Sequence, residues 1–350
     1  MVKSNPVLGI IGGGQLGSML AVAAKKLKVK TIILSDDSKA PAKKFCDKII
    51  ISEYNKLKNI EDFASKVDVV TFEFENIPFK VLEYISKLKP VFPKPHINQI
   101  IQNRFTEKKF INDIGIKTTN YALIKNQSDI LNNIDLLPGL LKTCTLGYDG
   151  KGQFVLNNRE KASELGIRFN KEYILEKKVE LKKEISIIIT RFINNDFVIY
   201  EPVENLHINQ ILSKSTIPAE IDKVISEKAQ QQARVIAEKL DYVGTMCVEY
   251  FIDKKNNLFV NEIAPRVHNS GHLTINTHNI SQFENHIRAV CNLEKVKLKK
   301  IYNAEMINII GEEIKTYREK SYSKNEFFFD YSKSEIKEKR KMGHLTTIKP

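Results

Sequence analysis

The sequence contains no tryptophan, only four cysteines, and no apolar run near the ~20 residues a bilayer-spanning helix needs. Cys46, Cys144, Cys247 and Cys291 are far apart, without a CxxC pair or a histidine at metal-ligand spacing. That argues against a zinc site or a disulfide framework and suits a reducing compartment. The four read as small buried apolar residues. Arginine is scarce as well, nine of the 55 basic residues. The formal net charge of +13 therefore reads as a lysine-rich habit of composition rather than a nucleic-acid surface, and no aromatic stacking motif accompanies it. Positive potential would equally serve an anionic small molecule. From Met1 to Leu8 the chain enters a strand pattern at once, leaving no room for a signal peptide. A soluble cytoplasmic protein, with neither membrane nor nucleic acid as partner, is the expectation.

The 350 residues are 42% apolar and 28% charged, enough for real cores and, at ~100–200 residues per domain, for two or three domains. The first hundred residues alternate strands (Val7–Ile11, Thr31–Leu34, Lys48–Ile51, Val67–Phe72) with helices, the pattern of a parallel α/β sheet. Three prolines between Pro90 and Pro95 mark a boundary. A helix from Ile97 to Ile114 precedes a strand-rich stretch, in which Leu140–Thr143 and Gln153–Leu156 flank a glycine-rich hairpin turn. A long helix over Asp222–Leu240 leads to strands Gly244–Ile252 and Leu258–Glu262. Glu305–Ile310 and Glu326–Tyr331 read as strands of the basic C-terminal region.

Five motifs carry chemistry. Gly12, Gly14 and Gly17 match GxGxxG between a strand and a helix, with Asp36 and Asp37 after the second strand. Such a turn offers unpaired N–H groups to an anion. By itself it suits a dinucleotide-binding oxidoreductase or a tightly packed α/β turn. Lys142, followed by Gly147-Tyr148-Asp149-Gly150-Lys151-Gly152-Gln153, suits a loop folding over polyphosphate, or a plain hairpin turn. Glu249 and Glu262, with Asn261, place acids in apolar strands. Buried carboxylates need a cation or a base, and this oxygen set suits Mg²⁺, unless both acids lie at exposed strand ends. Ala264 to His272 is dense in hydrogen-bonding side chains, the composition of a substrate loop, with Arg266 able to fork onto a carboxylate, bicarbonate or phosphate. Lys333 to His344 is a charge run that, taken bare, reads as a solvated tail.

In this order the motifs resemble the ATP-grasp ligases and, among them, the N5-carboxyaminoimidazole ribonucleotide synthases of purine biosynthesis. The resemblance runs from about Val7 to His344 and is most specific at Gly12–Gly17, Phe72-Glu73-Phe74-Glu75-Asn76, Gly147–Gln153, Asn261–His272 and Arg340–His344. It implies an α/β fold in several parts: an N-terminal parallel-sheet domain (1–95), a linker helix and small β-rich lid (96–175), a central subdomain (176–295) and a C-terminal β-rich segment (296–350). It implies ATP surrounded by Arg104, Lys142, the loop Gly147–Gln153, Glu176-Lys177-Lys178-Val179, Glu184, His207, Asn261 and Glu262. Residues 176–179 would meet the adenine edge and Glu184 the ribose hydroxyls. Glu249 and Glu262 would hold Mg²⁺ or Mn²⁺. Aminoimidazole ribonucleotide would lie among Gln15, Glu75, Asn76, Arg266, His268 and Asn269, its phosphate gripped by Lys333 and Arg340. Arg266, His268 and Lys151 would serve catalysis.

The implied reaction is ATP- and bicarbonate-dependent carboxylation of the ribonucleotide through carboxyphosphate, releasing ADP and phosphate, in a homodimer. Three departures from the family pattern stand out. Val267 replaces a proline, Ser332 a glycine and Glu338 a proline. A formate-dependent glycinamide ribonucleotide transformylase or a biotin carboxylase is the rival within the same class.

Overall fold

The computed structural model describes residues 6–147 and 152–349, so Tyr148, Asp149, Gly150 and Lys151 lie outside the described residues. Three sheets organise the chain. In the first, strands β1 (Val7–Ile11), β2 (Lys30–Ser35), β3 (Lys48–Ile51) and β4 (Val69–Phe72) are parallel, in the order β3-β2-β1-β4. A parallel sheet is covered on both faces, which is why β1 reads as an unbroken apolar run and β4 departs from one only at the buried Thr71. The helix Gln15–Lys26 opens directly after β1 and buries its alanine-rich face.

The second sheet is the lid: β5 (Tyr121–Ile124), β6 (Gly139–Thr143), β7 (Gln153–Leu156) and β8 (Tyr173–Lys177), antiparallel in the order β5-β8-β6-β7. It has its own core of Ile124, Leu141, Leu156, Tyr173 and Leu175. The third sheet has nine strands: β9 (Leu181–Arg191), β10 (Phe197–Ile199), β11 (Val203–Ile208), β12 (Ile211–Ile217), β13 (Gly244–Asp253), β14 (Leu258–Ala264), β15 (Asn303–Ile310), β16 (Glu326–Asp330) and β17 (Lys341–Lys349). Because β12 pairs with β15, the C-terminal strands extend the same sheet rather than forming a separate one.

Two cores lock these parts together. Ile97, Ile101 and Ile111 of the linker helices pack against Ile185, Val248 and Val260 of the central sheet. Leu8, Ile10 and Met19 pack against Val267, Phe283, Ile287 and Tyr331, so the first domain shares its core with the segments that follow β14 and β16. The imidazole of His286, on the helix Gln282–Val290, meets Thr71 Oγ1 at 2.8 Å across that junction.

One expected helix is two. Pro95–Ile101 and Arg104–Asp113 are separated at Asn103, whose extended backbone ends the first helix and whose Oδ1 accepts from Phe105 N and Thr106 N at 2.9 and 3.3 Å. This N-cap puts Arg104 at the first helical position, aimed into the cleft. Strands β5, β11, β12 and β17 are also present beyond those anticipated. Their exposed polar positions and bulges, such as that at Leu206/His207, blur the alternation that marks a strand.

Candidate active site

A cavity of about 800 Å³ opens between the lid, the central sheet and the glycine-rich turn of the first domain. Its floor is the β13–β14 hairpin. There Glu249 and Glu262 occupy directly paired positions, with a bulge between Glu249 and Tyr250. Burial and the charge of Glu262 push the Glu249 carboxyl up from its ordinary range. Glu262 shifts the other way: burial opposes ionisation, but the Arg104 guanidinium, 2.9 Å away, outweighs it. The same guanidinium donates to the Gly147 carbonyl at 3.0 Å, tying the lid loop to the acidic pair.

The donor set fits a hard divalent cation. Asn261 Nδ2 donates to Glu249 Oε2 at 3.5 Å, which sets the amide beside the paired carboxylates. Burial first and then the Glu262 charge raise Glu249, and a cation between the two carboxylates would offset the latter. Cys247, Glu249 and His268 also bring ligand atoms within 4.8 Å of one another. Burial holds the Cys247 thiol well above its usual range, which makes it a poor ligand for a hard ion.

Under the lid, Lys142 Nζ pairs with Glu176 Oε2 at 3.0 Å, and Lys108 Nζ approaches the same oxygen at 3.6 Å. Burial opposes the charge on Glu176, yet Lys108, Lys142 and Arg104 hold it down at about 2. Lys108 also donates to the Asn261 carbonyl at 3.2 Å, and the Glu107 carboxylate accepts from Ile263 N at 2.6 Å. The helix thus braces β14 from behind. On β9 and β11, Glu184 Oε2 lies 2.5 Å from His207 Nδ1. Burial works against protonation of that imidazole, but Glu184 and Glu249 raise it on balance.

The loop after β14 carries Arg266, which forks onto both oxygens of Glu75. Burial resists ionisation of Glu75, but Arg266 overrides it and lowers it to about 2. His268 accepts at Nδ1 from Ser270 N, 3.4 Å away, and its Nε2 stands 3.3 Å from Glu249 Oε1. Burial and the Arg266 charge push the imidazole down to about 3, so it is neutral at physiological pH. Asn269 exchanges amide hydrogen bonds with Asn308 at 2.7 and 3.0 Å.

The structure brings most of the expected residues to one cavity: Gln15, Glu75, Asn76, Arg104, Lys142, Gly147, Gln153, Glu184, His207, Glu249, Asn261, Glu262, Arg266, His268 and Asn269 all line it. Gly152, just outside that lining, has φ +73° and packs against Thr143. The Glu176 side chain is buried behind the wall, and Lys177 and Lys178 are exposed, their backbone N–H groups donating to Asn120 and Pro138 carbonyls. Val179 is half-buried. Lys333 borders a neighbouring cleft of about 440 Å³, from which its ammonium reaches Gln15 Oε1 at 3.1 Å. Arg340 is at the surface and donates to the Glu335 carbonyl at 3.1 Å.

Sequence reasoning missed Glu107 and Lys108, which brace β14, and gave no role to Lys341, which lines the cavity from within a run already singled out. The adjacent Glu107-Lys108 pair inside an otherwise amphipathic helix was the available signal, since charges at core-facing positions demand partners. The three departures find their places. Val267 fills the shared core. Ser332 has φ +53°, where a glycine would be unstrained, and is anchored by its N–H to Asp330 Oδ1 at 2.7 Å. Glu338 is exposed.

Three domain families match the chain in order: the ribonucleotide synthetase preATP-grasp domain over residues 6–102, the ATP-grasp domain over 109–283, and the phosphoribosylaminoimidazole carboxylase C-terminal domain over 304–350. The N5-carboxyaminoimidazole ribonucleotide synthase of Bacillus subtilis (strain 168) is 38% identical over 353 residues, covering 100% of this chain and 93% of that protein. That of Brucella melitensis biotype 1 is 39% identical over 354 residues, covering 100% and 98%. Among solved structures, the Staphylococcus aureus N5-carboxyaminoimidazole synthetase complexed with ADP superimposes with a TM-score of 0.93 at 36% identity, over 99% of this chain and 94% of that one. The Aspergillus clavatus synthase in complex with ADP and 5-aminoimidazole ribonucleotide does so with a TM-score of 0.90 at 27% identity, over the same shares. On the match of fold and sequence along its whole length, the chain belongs to the N5-carboxyaminoimidazole ribonucleotide synthase family of ATP-grasp enzymes.

Proposed function

We propose that the protein uses ATP and bicarbonate to convert 5-aminoimidazole ribonucleotide into N5-carboxyaminoimidazole ribonucleotide, releasing ADP and phosphate, as a cytoplasmic homodimer. The observation that carries this reading is the opposed Glu249–Glu262 pair on the cavity floor, with Arg104 beside it and the glycine-rich turn opposite. Mg²⁺ or Mn²⁺ on Glu249, Glu262 and the Asn261 amide would neutralise charge on the triphosphate.

Bicarbonate is a poor electrophile, and phosphorylation by the γ-phosphate activates it. That transfer is a problem of positioning and charge, which Arg104, Lys142 and the lid's Lys151 address. Carboxyphosphate decomposes in water, so the lid hairpin closes over it before it forms. Glu184 and His207 hold the nucleotide ribose, and residues 176–179 the adenine edge. Gln15, Glu75, Asn76 and Asn269 hold the ribonucleotide, whose phosphate draws in Lys333 and Arg340. Arg266, aligned by Glu75, steadies the carboxylate that is transferred. The attacking amine gives its proton to neutral His268 or to the phosphate set free in the site, and the pH profile of His268→Asn separates the two.

The test is ADP release with and without aminoimidazole ribonucleotide, each with and without bicarbonate. Release that requires both is expected. Release supported by formate in place of bicarbonate would instead make the protein a transformylase of the glycinamide ribonucleotide type. Among the described residues no helix is long and apolar enough to cross a membrane.

A further inference from the structure

Behind the substrate wall runs a chain of buried hydrogen bonds that fixes which way one amide faces. Gln282, the first residue of its helix, is fully buried. Its Oε1 accepts from His268 N at 3.0 Å and its Nε2 donates to the His268 carbonyl at 2.6 Å. A backbone N–H can only donate and a carbonyl can only accept, so these two bonds set the Gln282 amide in one orientation. Gly271 makes the arrangement possible, because a Cβ there would meet Gln282 Oε1 at 2.4 Å.

The remaining Gln282 N–H points at His272 Nδ1, 3.2 Å away. That nitrogen must accept. His272 is fully buried among Phe283, Tyr331 and His344, and burial keeps it neutral. The charged groups around it, Lys333 and Lys341, further disfavour a second proton. A neutral imidazole that accepts at Nδ1 carries its proton on Nε2. His272 Nε2 faces the carboxamide of Gln15 at 3.0 Å, and the Gln15 nitrogen is the atom placed there, with Oε1 on Lys333. Two N–H groups thus oppose each other. A half-turn of the Gln15 amide removes the conflict and leaves its NH₂ beside the Lys333 ammonium.

We propose that Gln282 and His272 are positioning residues that set the polarity of Gln15, so that its NH₂ group and Lys333 converge as donors on one phosphate oxygen of the ribonucleotide. The relay runs from the His268 N–H to Gln282, then His272, then Gln15, then the substrate. In the absence of that anion the two donors compete, which reserves the site for a phosphorylated ligand. This rests on the reading that Gln15 and Lys333 face the ribonucleotide.

Two measurements test it. Two-bond ¹H–¹⁵N correlation on histidine-labelled protein, with the His272 signal assigned by its loss in His272→Gln, reads the tautomer without any ligand. A proton on Nε2 throughout pH 6–8 is expected; a proton on Nδ1, or on both nitrogens, would overturn the relay. Calorimetric titration with aminoimidazole ribonucleotide reads the consequence. A hydrogen bond to a charged group is worth roughly tenfold or more in affinity, so Gln15→Ala and His272→Phe should each weaken ribonucleotide uptake about tenfold while leaving ADP uptake unchanged. The double variant should be no weaker than Gln15→Ala alone; losses that multiply would contradict action through Gln15. Gln15→Glu, which keeps the shape but offers no donor, should bind more weakly still, and wild-type-like uptake by it would overturn the proposal even if His272→Phe fails to fold. Wild-type protein that takes up no ribonucleotide would overturn the functional reading instead, with the tautomer judged on its own.

Discussion

The Glu73 carboxylate accepts hydrogen bonds from the backbone N–H groups of Gly17, at 2.5 Å, and of Gly14. The turn that matches a dinucleotide fingerprint therefore has its anion position filled by an acid of the chain itself. The glycines are needed for the closeness of that contact, since a Cβ on Gly14 would meet Glu73 Oε1 at 2.7 Å and one on Gly12 would meet Glu73 Cγ at 2.5 Å. The first domain keeps the α/β turn while its phosphate seat is closed, and Gly14, Gln15 and Leu16 at the start of the helix line the cavity.

Glu73→Gln turns one acceptor into a donor facing a backbone N–H. It should lower stability by about 1–3 kcal/mol, the cost of a buried unsatisfied group. Urea unfolding measures this, and an unchanged midpoint would show that the turn does not depend on the acid. Nicotinamide dinucleotides should show no fluorescence quenching with either protein.

Ser332 has φ +53°, a conformation that costs an L-residue roughly 1 kcal/mol, beside the lysine that reaches Gln15. Ser332→Gly should raise the urea midpoint by an amount equivalent to about 0.5–1 kcal/mol. A lower midpoint would mean that the strain is offset by contacts of the serine.

Arg340 rests on the Glu335 carbonyl at the surface, and under the proposed function the substrate phosphate would draw it inward. Arg340→Ala should raise KM for the ribonucleotide about tenfold and leave KM for ATP nearly unchanged. Equal changes in both would remove this residue from the substrate site.

Burial depresses His286 to about 4, where it is hydrogen-bonded to Thr71 and Thr245. A free imidazole titrates near ~6.5. Between these values the unfolded chain holds a proton that the folded chain does not, so this contribution is complete above the unfolded value and is lost as pH falls toward 4. The loss approaches ~1.4 kcal/mol per pH unit for a single group. His278, also lowered to about 4, adds to the effect. Urea midpoints should fall steadily from pH 7 to pH 5, and His286→Gln should flatten the slope. A midpoint independent of pH would contradict neutral burial.

Much of this site was legible in the sequence because its chemistry sits on strands and turns with strong local signatures. Glu249 and Glu262 interrupt apolar runs, so pairing them needed only the hairpin turn at 253–257. What escaped was whatever depends on contacts between distant segments. Nothing local says that Glu73 would turn back onto Gly14, 59 residues earlier, or that Lys108 would reach the Asn261 carbonyl. Asn103 could have been read as a helix cap, but an uninterrupted amphipathic pattern on either side hid the break. Strand β17 follows directly on a charge run, and its small polar Thr346 is buried by pairing with β15 and β16 that only the folded sheet supplies.

The central claim is that Glu249 and Glu262 hold a divalent ion against the nucleotide's phosphates. Calorimetric titration with ADP, in Mg²⁺ and again in excess chelator, tests it most directly, with Glu262→Gln alongside. The account predicts one site per chain, binding at least about tenfold weaker without the metal, and a Glu262→Gln variant that no longer distinguishes the two conditions. Equal affinity of the unaltered protein with and without Mg²⁺, or no uptake in its presence, would contradict it.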